Sequence, residues 1–117
     1  MPEYLPTFKP GQAFTLKASA AITGGQVVEV TGSGTVGPAA AGSVKVVGVA
    51  AFDAAINDNV TVYAGGVQHV TASGAVAAGD TVQAAANGQA ATGTTAPIGL
   101  ALTSAASGGD VRILFNR

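Results

Sequence analysis

The 117-residue chain has no cysteine, no tryptophan and a single histidine, His69. Without cysteine, neither a disulfide nor a thiolate metal site can hold a small fold together. With one histidine, no two-histidine site can be built. Charge is scarce as well. Lys9, Lys17, Lys45, Arg112 and Arg117 stand against Glu3, Glu29, Asp53, Asp58, Asp80 and Asp110, for a formal net charge of -1. The bases are scattered, whereas a surface that tracks phosphates needs clustered Lys and Arg, so nucleic acid is not expected as a partner. No apolar run reaches the roughly 20 residues of a membrane span, and no membrane partner is expected. The first ten residues carry neither the basic nor the apolar region of a secretory signal, so export by that route is not indicated.

Alanine and the 17 glycines fill the space that these absences leave. Each buried alanine adds little beside the roughly 1.5 to 3 kcal/mol of a buried Val, Leu or Phe. Glycine also raises the entropy that folding must overcome. A chain of this length with so thin a core takes part of its stability from oligomerisation or from docking on a larger body. A low-charge, near-neutral surface favours such association.

The most informative pattern is an internal echo. Ala18 to Val30 aligns without a gap on Ala72 to Ala84 at an offset of 54, with Ala18/Ala72, Ser19/Ser73, Ala21/Ala75, Gly25/Gly79 and Val28/Val82 identical. At an offset of 51, Val47-Gly48-Val49-Ala50 matches Ile98-Gly99-Leu100-Ala101, and Asn59-Val60-Thr61-Val62 matches Asp110-Val111-Arg112-Ile113. Each half reads as strand, turn, strand, long turn, strand, turn, strand, which points to a compact barrel made by duplication.

The organisation follows from local pattern. Residues 1–11 are an extended arm, because Pro2, Pro6 and Pro10 exclude a helix. The arm carries Tyr4, Leu5 and Phe8, which either fold back on the arm's own barrel or anchor in a groove of another protein. Residues 12–117 form a single β-barrel domain, with pseudo-repeats of about 12–65 and 66–117. Phe14, Leu16 and Ala18 alternate with Thr15 and Lys17, Val28 and Val30 flank Glu29, and Val60 and Val62 flank Thr61. Gly24-Gly25, Gly32-Ser33-Gly34 and Gly37-Pro38 punctuate these strands. Gly48 and Gly99, paired inside equivalent strands, predict a bend or a close backbone approach. Asn87-Gly88 predicts a tight turn, and Ala84 to Thr95, equivalent to the loop Thr31 to Ala41, reads as a hairpin tip or a mobile loop and is expected to be exposed.

Reactive chemistry is nearly absent. His69 lies in an alternating strand, Val67 to Thr71, as a half-exposed residue rather than a base. Asp80 and Asp110 follow glycine at strand entrances, where aspartate bonds nearby backbone amides, and Asp58 in Asn57-Asp58-Asn59 reads likewise. No serine sits in a nucleophile elbow, and the glycine tracts lack the lysine of a phosphate loop. The chain is therefore expected to be no enzyme, with no catalytic residues, no cofactor and no metal.

The order of these motifs resembles the small head decoration, or capsid cement, proteins of tailed bacteriophages. An arm precedes the turns Gly25-Gln26-Val27-Val28 and Gly79-Asp80-Thr81-Val82. The strands Val47-Gly48-Val49-Ala50 and Ile98-Gly99-Leu100-Ala101 come next, and Asp110-Val111-Arg112-Ile113 closes the chain. The resemblance covers nearly the whole sequence. It implies an all-β, β-tulip-like barrel that assembles as a homotrimer at three-fold and quasi-three-fold positions on the outer surface of the virion, added after the shell expands. There it bridges neighbouring subunits of the major capsid protein, its partner, against internal pressure. Tyr4, Leu5 and Phe8 are then the capsid-binding residues, an extended arm adding a strand to an exposed sheet edge. The alternative is a glycan-binding or adhesive β-module on a virion surface, which needs exposed aromatic platforms. Outside the arm only Phe14, Phe52, Tyr63 and Phe115 are available, and Phe14 and Phe115 share the parity of their apolar neighbours.

Overall fold

A computed structural model of the chain describes residues 13–116. The arm residues Tyr4, Leu5 and Phe8 lie outside the described residues. Among the described residues, ten strands and one 3-10 turn make up the regular structure. The first half contains β1 (Phe14–Ala18), β2 (Val27–Gly32), β3 (Thr35–Pro38), β4 (Val46–Ala50) and β5 (Asn59–Tyr63). The second contains β6 (Val67–Thr71), β7 (Thr81–Ala85), β8 (Gln89–Thr92), β9 (Pro97–Ala101) and β10 (Asp110–Phe115). The all-β barrel class expected from the sequence is what the chain adopts.

The duplication extends to the hydrogen-bond ladder. The first half is a closed barrel in the order β1-β3-β2-β4-β5, and the second is a sheet in the order β6-β10-β9-β7-β8, the same circuit read backwards. β1 and β3 close the first barrel as a parallel pair, Lys17 opposite Thr35 and Ala18 opposite Val36. At the equivalent seam of the second half a single parallel bridge joins Ala72 to Ala90. The irregularities repeat as well, since the register shifts at Val28/Glu29 between β2 and β4 and at Val82/Gln83 between β7 and β9. Gly25 (φ 89°) and Gly79 (φ 90°) turn the chain alike. Their N–H groups donate to the carbonyls of Ala50 and Ala101, each at 2.8 Å.

Both interiors use the same positions. Ala18, Ile22, Val28, Val36, Ala50, Val60 and Val62 pack inside the first barrel, with Phe14, Leu16 and Val47 against them. Ala72, Val76, Val82, Ala90, Ala101, Val111 and Ile113 occupy the equivalent places in the second half. Small side chains let the backbones approach closely. A Cβ on Gly48 would run into the carbonyl oxygen of Tyr63, and one on Gly99 into that of Leu114, so the paired glycines mark close approaches of β4 to β5 and of β9 to β10. The second-half core also holds Val27, Ala39, Val46 and Val49 of the first half, and one buried cluster therefore crosses between the halves. No buried polar or charged side chain interrupts it among the described residues.

Three expectations change. Each half has five strands, because β3 and β8 lie within the expected long turn; glycine, alanine and Pro38 give those four-residue strands no alternation to read. Ala84 to Thr95 is not an exposed tip as a whole. It forms the hairpin of β7 and β8, and Ala84, Ala85, Gly88 and Ala90 are buried. At its turn Asn87 (φ 59°) and Gly88 (φ 70°) both take the left-handed conformation that the Asn-Gly pair predicts. Val30 is 38% exposed although it shares the parity of Val28; it lies between the register shift at Val28/Glu29 against β4 and the one at Val30/Gly32 against β3, at the end of the barrel.

Candidate interaction surface

The side chains that remain outside define what this body offers a partner. Leu16 packs against the first core, whereas Leu100, Leu102 and Leu114 are 42%, 45% and 45% exposed. Two of these leucines form a row with Val67. Leu100 of β9 stands opposite Leu114 of β10, and Leu114 opposite Val67 of β6, which is also exposed. Side chains opposite one another on neighbouring strands lie on one face, so the outer face of the second sheet carries an apolar band. An exposed apolar surface of this kind marks an interaction site. Further apolar residues project from Val44, Phe52, Ile56 and Tyr63 of the first half.

Next to the apolar row on the same face, His69 stands opposite Arg112. The His69 Nδ1 lies 3.3 Å from the Asp110 carboxylate, with both side chains well exposed. This is a cross-strand surface pair of small energetic weight, and it agrees with the strand-surface reading of His69. The other aspartates serve turns. Asp80 Oδ2 accepts from the Ala77 N–H and the Thr92 hydroxyl, both at 3.0 Å, and Asp53 Oδ1 accepts from the Gly24 N–H at 2.8 Å. Among the described residues no three metal-ligating side chains come together. Glu29 is held below the ordinary glutamate value, chiefly by a hydrogen bond from Ser43, with the Ala40 N–H and the Lys45 charge adding to it against the opposing effect of partial burial. Its Oε1 accepts from Ala40 at 3.1 Å, which clips the loop after β3 to β2.

A cleft separates the two halves on one side, lined by Gly24, Gly25, Tyr63, Gln68 and His69. Its floor is the connection Ala64-Gly65-Gly66, where both glycines are left-handed (φ 68° and 67°). Gln68 Nε2 staples this joint by donating to the carbonyls of Tyr63 (2.7 Å) and Gly65 (3.1 Å). The Phe115 N–H closes it onto the Gly66 carbonyl at 2.9 Å. Phe115 is buried and Phe14 packs on the first core, as their parity predicts, while Phe52 and Tyr63 are about half exposed.

A sequence model of the phage cement proteins matches residues 8–116. The chain belongs to the phage cement protein family. The match starts inside the proline-punctuated arm and runs through β10, so it takes in both halves. Cement proteins are structural, non-enzymatic components associated with the phage capsid, and that is the class of this protein. The fold agrees. The cement protein superposes on the crystal structure of the head fiber gp8.5 N base of bacteriophage phi29 with a TM-score of 0.72 and 20% sequence identity. The superposition covers 90% of this chain and 93% of that one. No curated protein matches it in sequence.

The apolar row was the feature that sequence reasoning missed. The inward and outward positions of β9 and β10 are both apolar, so the alternation that marks a half-buried strand is absent from Ile98 to Leu102 and from Ile113 to Phe115. The repeat gives no signal for it, because aligning Gly99 with Gly48 puts Leu100 on the buried Val49.

Proposed function

We propose that this cement protein sits on the outer surface of an icosahedral phage shell and stabilises it by bridging neighbouring copies of the major capsid protein. It does so as a homotrimer at three-fold and quasi-three-fold positions. Residues 1–11 act as the latch, with Tyr4, Leu5 and Phe8 as anchors, and residues 12–117 act as one domain of two pseudo-repeats. The observation that carries this reading is the row of exposed leucines on the second half of a member of the cement family. Alanine, valine, two isoleucines and Phe115 fill the inside of that half, while Leu100, Leu102 and Leu114 face out. A body arranged in this way is favoured when its outer face is covered.

The arm adds reach. An extended segment that joins a sheet edge gains main-chain hydrogen bonds, and aromatic anchors give it specificity. Three arms on one trimer bind with avidity, since the second and third contacts are intramolecular. The test is cosedimentation with undecorated, expanded capsids, comparing the full chain with one that starts at Gly11. Saturable binding by the full chain and none by the shortened chain is the expected result. Equal binding by both would remove the arm from the mechanism, and no binding by either would remove the capsid reading.

A further inference from the structure

The two halves are built alike but are used differently. On the outside of the first barrel, Val27, Ala39, Val46 and Val49 are 0–4% exposed, because the second half covers them. Their counterparts in the repeat are Thr81, Gly93, Pro97 and Leu100. There Pro97 and Leu100 are exposed and the other two are half-buried. Thr81, Pro97 and Leu100, with Leu114 and Phe115, line an open groove. The second half thus presents, unfilled, the surface that the first half uses to pack on the second.

The piece that fills the first copy of this surface is identifiable. The tip of the hairpin of β7 and β8, Ala84 to Gly88, is held to the first half by three hydrogen bonds. The Gly88 N–H donates to Ala39 O (3.0 Å), the Gly42 N–H to Ala84 O (2.9 Å) and Gln26 Nε2 to Asn87 O (2.9 Å). Gly88 lies so close to Gln26 and the Val27 carbonyl that a Cβ would come within 2.7–2.8 Å of them. The equivalent tip of the first half is Val30 to Gly34. All five of its residues are exposed, and Gly34 has φ 72° against 70° for Gly88, with open space where a Cβ would stand. One molecule therefore carries an empty socket at one end and an unused plug of matching design at the other.

We propose that a second copy of this chain fills the groove, its Val30–Gly34 tip docking on Thr81, Pro97 and Leu100 as the Ala84–Gly88 tip docks within each molecule. The Gly34 N–H and the Gly93 carbonyl stand where Gly88 and Ala39 make the internal bond. The side-chain bond is not carried over: Gln26 Nε2 donates to the Asn87 backbone carbonyl, whereas Asp80, at the Gln26 position, is an acceptor already held by the Ala77 N–H and the Thr92 hydroxyl, so the contact between copies rests on the apolar groove and the main-chain bond. Neither plug nor socket floor carries a like-charge conflict, since Val30 to Gly34 has no charged residue. Plug and socket are different surfaces, and the contact is heterologous, the kind that closes into rings. The inference rests on the trimer proposed above for the number of copies alone.

The test is the mass of the full chain in solution by sedimentation equilibrium, for the wild type, Val30→Lys, Leu100→Lys and an equimolar mixture of the two variants. Leu100→Thr, which keeps strand propensity, replaces Leu100→Lys should the lysine variant lose its circular dichroism. The wild type is expected as trimers and each variant as monomers. The mixture is expected as dimers, because the plug variant keeps a good socket and the socket variant keeps a good plug. A monomeric wild type, trimers that survive either substitution, or a mixture that stays monomeric would overturn the proposal. Association by a chain starting at Gly11, where the full chain is monomeric, would assign the groove to the arm instead. Shell binding is scored separately: trimers that fail to bind capsids would fault the capsid reading and leave this contact standing.

Discussion

Replacing Gly99 by alanine tests whether close backbone approach, rather than turn conformation, fixes that glycine. The added Cβ would run into the Leu114 carbonyl oxygen and come within 2.8 Å of Ile113 Cγ2. Gly99 stands opposite Phe115, and Leu100 opposite Leu114, in the ladder of β9 with β10. The obstructing atoms are therefore backbone and a buried side chain, which can yield only if the ladder parts. Overpacking of this kind costs about 1–3 kcal/mol. With an unfolding entropy of roughly 2.1 cal/mol/K per residue, a domain of this size loses about 4 °C of Tm per kcal/mol, so a cost of about 2 kcal/mol lowers the Tm by ~8 °C. Gly48→Ala meets the Tyr63 carbonyl likewise, and because Gly48 also has a positive φ of 155° it is expected to lose at least as much. Gly74→Ala is the control, having nothing within 4 Å. At a compatible backbone conformation it is neutral or stabilising by up to about 1 kcal/mol. The assay is thermal unfolding by circular dichroism at one protein concentration, since self-association adds to apparent stability. A Gly99→Ala protein that melts together with Gly74→Ala would refute the reasoning.

Two further perturbations separate inside from outside and acid from neutral. Ile113→Ala, at a fully buried position, is expected to cost about 2–5 kcal/mol in urea unfolding, whereas Arg112→Ala, exposed next to it, stays within roughly 0.5 kcal/mol; equal effects would mean that the strand faces are misassigned. Glu29 has a folded-state value below its unfolded one, so its contribution is present above the unfolded value of about 4.3 and is lost as pH falls through the folded value. Wild type should accordingly lose more stability than Glu29→Gln on acidification below about pH 5, the two curves converging at low pH, and parallel curves would count against the Ser43 and Ala40 hydrogen bonds as the cause.

What could be read from the sequence depended on how each residue type reports its surroundings. Strict alternation in Phe14 to Ala18 and Asn59 to Tyr63 reports a strand with one face in a core, and both strands stand there. Gly48 and Gly99 were legible because two equivalent glycines in apolar runs have few physical explanations. β3 and β8 were not legible. Alanine and glycine fit strand, turn or loop at little difference in energy, and the parallel pairing of Ala18 with Val36 joins residues that no local pattern links. Leu100 and Leu114 were also hidden, since a strand apolar on both faces looks the same whether its second face meets core, partner or solvent. The anchors Tyr4, Leu5 and Phe8 rest on composition and proline spacing alone, and that kind of argument places a segment without placing its side chains.

The seam between β6 and β8 gives the molecule a direction of weakness. The first barrel is closed between β1 and β3 by two registered pairs, whereas the second sheet has at the equivalent place the single bridge of Ala72 to Ala90, and the hairpin carrying Ala90 is also held from outside by Ala39, Gly42 and Gln26. A pull that separates the halves thus bears on the same hairpin that carries this bridge. Stiffness in one half depends on an intact grip by the other, and strain applied to the joint is taken up first at that seam rather than in the ladders. For a capsid-associated part, such a built-in yield point lets the body stretch before its ladders tear.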